Sequence, residues 1–516
     1  MSYAAPPRPP DNLFLGLRGE GLPTLRAAID RVLDAQRTFR EAAFAPRGTT
    51  PVPGVPPRAP GAVARAGALD SALETLLERL GRSHPYFHPR YAAQMIKDPA
   101  IPAVVGYLAA MLINPNNHAY EGGPATTDME LEVVDDLLRL VGFETGGRAD
   151  GWGHLCSGGS LANLEALWAV RDSRPDGPVV FSRAAHYSWK RNAAILRIPR
   201  VTEVEVDGQF RLDPAHLETI LRRERPLMVV ANLGTTGTGS IDPLDAILDL
   251  RERHGFHLHV DAAYGGYARA CLRDPDGGLL PPETARGATG LSEHAERQLR
   301  LLGRADSVTI DPHKHGLSPY GAGSVLYRDP ALQRPLVNTA PYTYHQADRP
   351  NLGRLTLEGS RPGAAAAACW LVHRVVPLDA AGLGTVVGAG IRAARDFHSR
   401  ALASARTVPL HRPDLDILCL ARLPVGTAPG SPVGLRALDA ATGAVYRRLS
   451  VEAPEPPPVL VSRFAIPADL ARRALPFARP DAESFSALRL VLMKHWLAQP
   501  EHAGLLEEIA REVLES

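Results

Sequence analysis

The feature that most limits how this chain can fold is a regular alternation of short apolar runs with helical stretches between about residues 100 and 375. The runs are rich in β-branched residues and are short, so they predict strands. Strands that alternate with helices favour an α/β fold, in which helices cover both faces of a parallel sheet. The predicted strands are 177–182, 226–234, 256–265, 305–311 and 321–328, with helices such as 160–172 and 243–254 between them.

The two ends of the chain follow different patterns. Apolar residues at three- and four-residue spacing predict helices over 20–43 and 68–81, joined by a proline-rich connector. Beyond residue 380, a mixed pattern predicts a smaller α+β domain with a final helix, helices near 383–403 and 434–449, and strands at 414–423, 458–463 and 486–493. We therefore predict an N-terminal helical segment, a large domain and a small C-terminal domain over residues 1–98, 99–378 and 379–516.

Composition excludes several classes of function. The 57 basic and 56 acidic side chains nearly cancel, which argues against a nucleic-acid partner and against an anionic membrane. The four cysteines lie far apart without a Cys-x-x-Cys pair, so we expect no zinc ribbon, no disulfide framework and a reducing compartment. Neither a secretory signal nor a long apolar run is visible, so the prediction is a cytoplasmic protein that does not span a membrane.

Unusual residues follow several of the predicted strands, at the edge where α/β sheets bind ligands. In "CSGGSLANLEALW" (156–168), Ser160 is a candidate helix N-cap, and the free N–H groups there could bind an anion. An ordinary capped turn would read the same way. His186 comes directly after the strand 177–182, where a histidine can be either a catalyst or a structural group.

Two more strand ends carry a carboxylate and an amine. Strand alternation places His257, His259 and Asp261 on one face, but no ligand-rich motif accompanies them, so no metal site is predicted. Asp261 instead suits a buried cationic partner beside a flat ligand, because an unpaired buried carboxylate is costly. Lys314, in "TIDPHKHGLSPYGAGSVLY" (309–327), is either a solvated charge or a desolvated amine of lowered pKa that can form a Schiff base.

These four features are informative together. Ser160, His186, Asp261 and Lys314 would supply an anion site, a ring-stacking partner, a carboxylate and an amine on successive strand ends. Pyridoxal phosphate needs a site for its phosphate, a surface for its ring, an acid beside its pyridine nitrogen and a lysine for its aldehyde. The combination therefore predicts a site for pyridoxal 5'-phosphate.

With these residues in this order, the chain resembles the pyridoxal-phosphate-dependent group II amino-acid decarboxylases and is most similar to the bacterial tyrosine decarboxylases. The resemblance extends over roughly residues 80–500. It implies fold type I, the aspartate aminotransferase-like fold, with a mostly parallel seven-stranded sheet, and a homodimer with its active site at the interface. The segments that carry it are "HPYFHPRYAAQM" (84–95), "NPNNHAYEGGPATTDMELEV" (114–133), "SGGSLANLEALW" (157–168), "HYSW" (186–189), "ANLGTTGTGSID" (231–242), "HVDAAYGGYAR" (259–269), "DPHKHGLSPY" (311–320) and "LEGSRPGAAAAACW" (357–370).

The resemblance implies a cofactor role for each matching residue. Lys314 would hold the aldehyde as a Schiff base, and Asp261 would pair with the pyridine nitrogen. Ala263 would pack on one face of the ring and His186 would stack on the other. The remaining predicted cofactor contacts are phosphate ligands and one pocket-lining residue: Gly159, Ser160, Ser307 and His313 for the phosphate, and Thr235 for the pocket.

The same resemblance implies an amine-forming decarboxylation with two catalytic tyrosines. Tyr342 falls where the family has a mobile catalytic loop, and we assign it the proton delivered to the substrate Cα. Tyr320 lies six residues after Lys314, where tyrosine decarboxylases carry a tyrosine needed for activity, and we expect it to position substrate or phosphate. Either tyrosine could instead be a packing residue.

Some residues leave the reaction and the substrate open. The stretch "GSRPGAAAAACW" (359–370) also resembles the sphingosine-phosphate lyases, which cleave a Cα–Cβ bond, although those enzymes tend to carry a lysine in place of Tyr320. A decarboxylating aldehyde synthase is a further alternative, and a non-catalytic pyridoxal-fold protein would be expected to lack Lys314 or Asp261. His315, directly after Lys314, stands where the tyrosine decarboxylases usually have an apolar residue.

Tyrosine or a related aromatic amino acid is the leading substrate prediction. The expected side-chain pocket residues are Tyr86, Phe87, His88 and Met493. Lys494 and His495, beside Met493, are basic, so an acidic or polar substrate such as aspartate is the alternative prediction.

Overall fold

The computed structural model describes residues 13–44, 68–145, 148–173, 176–339 and 349–515. Within these ranges the helices are α1 (Leu22–Phe44), α2 (Ala68–Leu80), α3 (Ile101–Met111), α4 (Pro124–Val141), α5 (Gly159–Ser173), α6 (Ser188–Ile195), α7 (Pro214–Leu221), α8 (Leu244–His254), α9 (Pro282–Thr289), α10 (Glu293–Leu301), α11 (Gly363–Val375), α12 (Leu383–Ala403), α13 (Leu435–Arg448), α14 (Ala468–Ala474) and α15 (Ala503–Leu514).

The strands within the same ranges are β1 (Glu144–Thr145), β2 (Arg148–Ala149), β3 (Trp152–Cys156), β4 (Val179–Ser182), β5 (Val201–Val204), β6 (Met228–Asn232), β7 (His257–Asp261), β8 (Ser307–Ile310), β9 (Gly323–Tyr327), β10 (Thr407–Pro409), β11 (Ile417–Arg422), β12 (Val433–Gly434), β13 (Ser462–Pro467), β14 (Ala478–Arg479) and β15 (Ser484–Val491).

The large sheet of the described chain has seven strands in the order β3-β9-β8-β7-β6-β4-β5. The run from β8 to β5 is parallel, and only β9 lies antiparallel to its neighbours β3 and β8. Every residue of β4, β6, β7, β8 and β9 is buried, because helices cover both faces. The predicted α/β architecture with a mostly parallel seven-stranded sheet is confirmed.

Two strands of this sheet escaped prediction for different physical reasons. β3 carries the buried polar side chain of His154, which interrupts its apolar pattern. β5 is an edge strand whose residues Val201 and Glu203 are exposed, so its hydrophobic signal is weak. Tertiary pairing determines both strands more than local composition does.

A smaller antiparallel sheet, in the order β10-β11-β15-β13 among the described residues, lies in the C-terminal part of the chain. Its strand β11 follows Asp414, whose carboxylate accepts two hydrogen bonds from Arg211, at 3.0 Å from Nε and 2.6 Å from a terminal nitrogen. Asp414 also accepts a hydrogen bond from the Ile241 backbone N–H. This buried bidentate pair ties the small sheet to loops of the large one.

The N-terminal segment contacts both sheets. Phe14 is 1% exposed and belongs to the main hydrophobic core, while the Ala92 N–H bonds to the Leu460 carbonyl. Helix α2, by contrast, has no buried residue. The boundaries 98/99 and 378/379 stay predictions. No helix in the described part of the chain combines the length and the apolar character needed to cross a membrane.

Candidate active site

A cavity of about 350 Å³ opens at the carboxyl ends of the central parallel strands. It brings together eight of the residues predicted from sequence, from five different parts of the chain. They are Gly159, Ser160, His186, Thr235, Asp261, Ala263, His313 and Lys314.

Asp261 is the last residue of β7 and is 8% exposed. Its Oδ2 accepts hydrogen bonds from Asn163 Nδ2 at 2.8 Å and from Trp189 Nε1 at 3.0 Å, and the Ala263 N–H lies 3.3 Å from Oδ1. Three donors therefore satisfy the oxygens of this buried carboxylate. The sequence predicted Asp261 but not Asn163 or Trp189.

The carboxylate of Asp311 lies against Lys314. Its Oδ2 is 3.0 Å from Lys314 Nζ, and its side chain is only 2% exposed. Burial by itself lowers the pKa of Lys314, but the charge of Asp311 and its hydrogen bond to Nζ outweigh burial, so the pKa is raised above its usual value. The sequence-based expectation of a lowered pKa is therefore wrong, because the carboxylate three residues earlier was not considered.

His313 lines the cavity between Asp311 and Tyr320. Its Nε2 is 3.5 Å from Asp311 Oδ2, and its ring stacks on that of Tyr320 with centroids 4.6 Å apart. Burial lowers the pKa of His313. Its Nδ1 has no hydrogen-bond partner among the described residues, so it is free to contact a ligand group.

His186 and Thr235 lie on the other side of the cavity. His186 Nδ1 is 2.7 Å from Ser188 Oγ, which fixes the orientation of the imidazole ring. Burial lowers the pKa of His186, which favours a neutral ring able to stack on a flat cation. Thr235 Oγ1 is 2.9 Å from Thr238 Oγ1, so its hydroxyl is held in a loop of small polar residues.

The start of α5 fits an anion. The helix begins at Gly159, so Ser160 lies in its first turn and is not the N-cap that the sequence suggested. A Cβ atom at Gly159 would lie 2.9 Å from Asp311 Oδ2 and 3.1 Å from Ala263 Cβ, so only glycine leaves this approach open. An anion-binding helix start, an amine and a donor-stabilised carboxylate around one cavity fit pyridoxal phosphate.

A second cavity of about 460 Å³ shares His186, Tyr187, Thr235 and Thr236 with the first. Its remaining wall comes from both sheets and from the segment after α2. Aromatic, apolar and arginine side chains dominate this wall: Met95, Phe210, Tyr320, Phe464, Arg183, Arg463 and Arg489. Tyr320 is 59% exposed, and its hydroxyl donates to the Met95 carbonyl at 3.4 Å.

Arg489 was not predicted as a pocket residue, although the strand 486–493 that contains it was predicted. It is 6% exposed, and its guanidinium donates to the carbonyls of Thr236, Gly237 and Ala93 at 2.8–3.1 Å. Burial lowers the pKa of Arg489. The predicted pocket residue Met493 does not line either cavity in the described chain. It is 1% exposed and packs in the main core, because the strand β15 ends before it.

The prediction for Ser307 also needs correction. Ser307 is the first residue of β8 and therefore lies at the opposite end of that strand from the cavity. Its hydroxyl is buried between His257 and His259, and it is not among the described residues that line either cavity. Ser307 does lie at an end of its strand, as predicted. The direction of β8, however, places Ser307 at the edge of the sheet away from the cavity, where it cannot contact the phosphate.

Other predicted pocket residues lie apart from the cavities. Tyr86 and Phe87 are 37% and 39% exposed, and His88 Nδ1 accepts from the Arg90 N–H at 3.1 Å. These three are absent from the described lining of both cavities. Tyr342 lies outside the described residues.

His315 faces away from the cavity. Its ring packs on Tyr264 with centroids 4.6 Å apart, and Nε2 is 3.4 Å from Asp416 Oδ2. Tyr264 donates to the other oxygen of Asp416 at 2.6 Å. His315 therefore contacts the residue that directly precedes β11 of the small sheet.

Position singles out Lys314 among the lysines. The sequence contains only Lys97, Lys190, Lys314 and Lys494. Burial lowers the pKa of Lys97 to about 8 and that of Lys494 to about 7, so both are more readily deprotonated than Lys314. Neither lines a described cavity, whereas Lys314 lies in the first one.

Comparisons with known proteins identify the family to which the chain is similar. A family model described as the pyridoxal-dependent decarboxylase conserved domain matches residues 68–411. The L-tyrosine decarboxylase of Enterococcus faecium is 30% identical over 79% of this chain and 80% of that protein. The L-aspartate decarboxylase of Thermococcus kodakarensis is 30% identical over 58% of this chain and 70% of that protein. The crystal structure of mouse CSAD shares the fold, with a TM-score of 0.68 at 22% identity over 88% of this chain and 90% of that one.

We expect Asp311→Asn to lower the pKa of Lys314, because burial then acts without the opposing carboxylate. A raised lysine pKa stabilises the fold fully below the unfolded-state pKa, and this stabilisation is lost as the pH rises through the folded value. Reductive ¹³C-methylation of the cofactor-free protein, followed by an NMR titration, measures the change. Asp396→Asn, at an exposed ion pair with Arg400, should leave the titration of Lys314 unaltered. An unchanged midpoint in Asp311→Asn would contradict the assignment.

Proposed function

The chain belongs to the pyridoxal-dependent decarboxylase family, and we propose that its substrate is L-tyrosine or a closely related aromatic L-amino acid. It is a pyridoxal-phosphate-dependent amino-acid decarboxylase, which releases CO2 and forms an amine. The observation that best supports the proposed site is the convergence of Lys314 and Asp261 on one cavity beside the start of α5.

Each cavity residue has a role that its contacts support. Bound pyridoxal phosphate supplies a ring that withdraws electrons from the bond to the leaving carboxylate. Lys314 offers the amine that anchors the aldehyde, and Asp261 offers a carboxylate to the ring nitrogen. His186 and Ala263 would cover the two ring faces, Gly159, Ser160 and His313 would offer hydrogen bonds to the phosphate, and Thr235 would line the pocket.

The second cavity supports the substrate proposal. Phe210 and Phe464 present aromatic surface beside Tyr320, with ring centroids of the two phenylalanines 6.3 Å apart. An aromatic side chain would bury its ring against these groups. The raised pKa of Tyr320, caused mainly by burial, keeps its hydroxyl protonated and able to donate a hydrogen bond.

Aspartate is the second candidate substrate, and one observation favours it. Arg183, Arg463 and Arg489 line the second cavity, and its described lining includes no carboxylate side chain. Arg183 is already paired with Glu205 and Asp469, and the N–H groups of Arg489 bond to carbonyls. The charge of Arg183 is therefore offset by two carboxylates, and the positive potential of this wall comes from Arg463, which stacks on Tyr446, and from Arg489.

Two further properties belong to the proposal. The exposed leucines of α2 support a homodimer in which the partner covers them, since large apolar patches mark protein interfaces. Their exposed fractions lie between 45% and 78%. The four cysteines, buried and free within the described chain, support a cytoplasmic location.

We expect purified protein loaded with the cofactor to absorb visible light and to release CO2 and the matching amine from tyrosine. Lys314→Ala should lose the borohydride-sensitive absorbance and at least about 10³-fold of activity. A panel of the twenty amino acids, with CO2 and amine measured in parallel, identifies the substrate. Turnover of aspartate alone would favour the second candidate. Release of an aldehyde from a phosphorylated sphingoid base, without CO2 from any amino acid, would reject decarboxylation in favour of a lyase.

Tyr342→Phe should reduce amine formation by about 10²- to 10⁴-fold if Tyr342 delivers the proton to Cα, the range typical of a lost general acid. Tyr344→Phe, two residues away in the same segment, is the matched control and should retain activity. Tyr320→Phe should mainly raise KM if Tyr320 positions the substrate. Equal activity of Tyr342→Phe and Tyr344→Phe would reject Tyr342 as the donor.

The double variant Leu73→Glu and Leu77→Glu should dissociate the dimer, because it places two charges on the apolar face of α2. Light scattering should show a mass near 55.4 kDa, the mass of one chain, instead of twice that value. Ser71→Glu with Thr75→Glu adds the same charge at the same spacing on the polar face and should leave the dimer intact. A monomeric wild-type protein would contradict the proposal.

A further inference from the structure

We propose that a buried hydrogen-bond chain through β7 and β8, formed by His257, Ser307, His259 and Asn163, positions the carboxylate of Asp261 toward the ring nitrogen of the cofactor. We call these four residues the buried chain. The inference rests on the proposed role of Asp261 and extends it to residues at the far edge of the sheet. None of the four would contact substrate, so they are positioning residues.

The contacts run without a break from one edge of the sheet to the other. His257 Nε2 is 2.8 Å from Ser307 Oγ, which in turn is 2.8 Å from His259 Nδ1. His259 Nε2 is 3.3 Å from both Asn163 Oδ1 and Thr309 Oγ1, and Asn163 Nδ2 donates to Asp261 Oδ2 at 2.8 Å. His257 lines a separate cavity of about 790 Å³, so the buried chain reaches from that cavity to the candidate active site.

Strand geometry explains why these side chains meet. His257, His259 and Asp261 alternate on β7 and therefore share one face of the sheet. Ser307 pairs directly with His259 across the parallel ladder. Asn163 comes from α5, which covers this face, so its amide can bridge His259 and Asp261.

The carboxylate gives the buried chain a single direction. An ionised Asp261 only accepts hydrogen bonds, so Asn163 must turn its amide N–H toward Asp261 and its carbonyl toward His259. His259 then donates from Nε2 and accepts at Nδ1 from the Ser307 hydroxyl. Ser307 accepts in turn from His257 Nε2. Every donor in the series points toward Asp261, and such series strengthen their members through mutual polarisation.

All four residues of the buried chain are shielded from water, so water cannot replace a lost hydrogen bond between them. Ser307 and His259 are 0% exposed, Asn163 is 2% exposed and His257 is 5% exposed. Burial also lowers the pKa of His259 to about 4, so near neutral pH its ring carries one proton, as the single direction requires. Without Ser307, no hydroxyl confines the proton of His259 to Nε2, and a ring protonated at Nδ1 leaves the Asn163 carbonyl without its His259 donor. A reversed amide would direct its carbonyl against the carboxylate of Asp261.

Ser307→Ala tests the proposal, with Ser324→Ala as matched control. Ser324 is also 0% exposed and lies in the neighbouring strand β9, but its hydroxyl bonds to the His154 carbonyl outside the buried chain. Each variant is loaded with pyridoxal phosphate labelled with ¹⁵N in its ring. The ¹⁵N chemical shift reports protonation of the ring nitrogen, and the cofactor Kd reports binding, both independently of turnover.

At mildly alkaline pH, the ring nitrogen of Ser307→Ala should shift from the protonated toward the unprotonated position, and its cofactor Kd should rise roughly tenfold. Ser324→Ala should match the wild type in both readouts. Ser307→Cys, which keeps a weak donor of similar size, should fall between them and serves as the second variant if alanine impairs folding.

The outcomes separate the inference from the function on which it rests. A wild-type shift and Kd in both Ser307→Ala and Ser307→Cys would overturn the role of the buried chain and leave the decarboxylase assignment intact. An unprotonated ring nitrogen in the wild-type protein would overturn the role of Asp261 itself, and with it the inference. Equal losses in Ser307→Ala and Ser324→Ala would also reject it, because general disturbance of the sheet would then explain the effect.

Discussion

Buried charge at the carboxyl edge of the parallel sheet governs this structure. Asp261 is the last residue of β7, and Asp311 directly follows β8. Both carboxylates are buried, and a buried carboxylate without partners is strongly disfavoured. Asp261 is stabilised by Asn163, Trp189 and a backbone N–H, and Asp311 by Lys314. Both carboxylates line the cavity, and Asp311 Oδ1 has no hydrogen-bond partner among the described residues. The groups that stabilise these buried carboxylates are therefore also the groups that determine the chemistry of the cavity.

The features predicted from the sequence depend on residues near one another in the chain, whereas the missed features depend on residues far apart in it. The strands predicted at 226–234 and 256–265 enclose the observed β6 and β7, since fully buried strands leave long apolar runs. Asp261, Lys314 and His186 were found because residues after parallel strands converge. Asn163, Trp189 and Arg489 were missed because their partners are about 70 to 400 residues away in sequence. Ser307 was misplaced because a strand's polarity decides which of its ends reaches the site.

A lowered pKa alone would favour Lys97 or Lys494 over Lys314 as the reactive amine. Lys494 donates to the Ile96 carbonyl at 2.6 Å, and Lys97 lies 2.8 Å from His495 Nδ1, at the junction of the N-terminal segment with the small domain. Lys314 is the more strongly protonated amine because of Asp311. Its place in the cavity, which Ala263 and His186 also line, supports the proposal that it reaches the aldehyde of the cofactor. Proximity outweighs intrinsic reactivity here.

The central claim is that Lys314 is the cofactor's attachment point. Reduction of the loaded protein with borohydride, followed by proteolysis and peptide mass spectrometry, measures this directly, because the sequence offers only four lysines that a pyridoxyl group could label. We predict that the label is found on the peptide containing Lys314. A label on Lys97, Lys190 or Lys494, with Lys314 unmodified, would contradict the account.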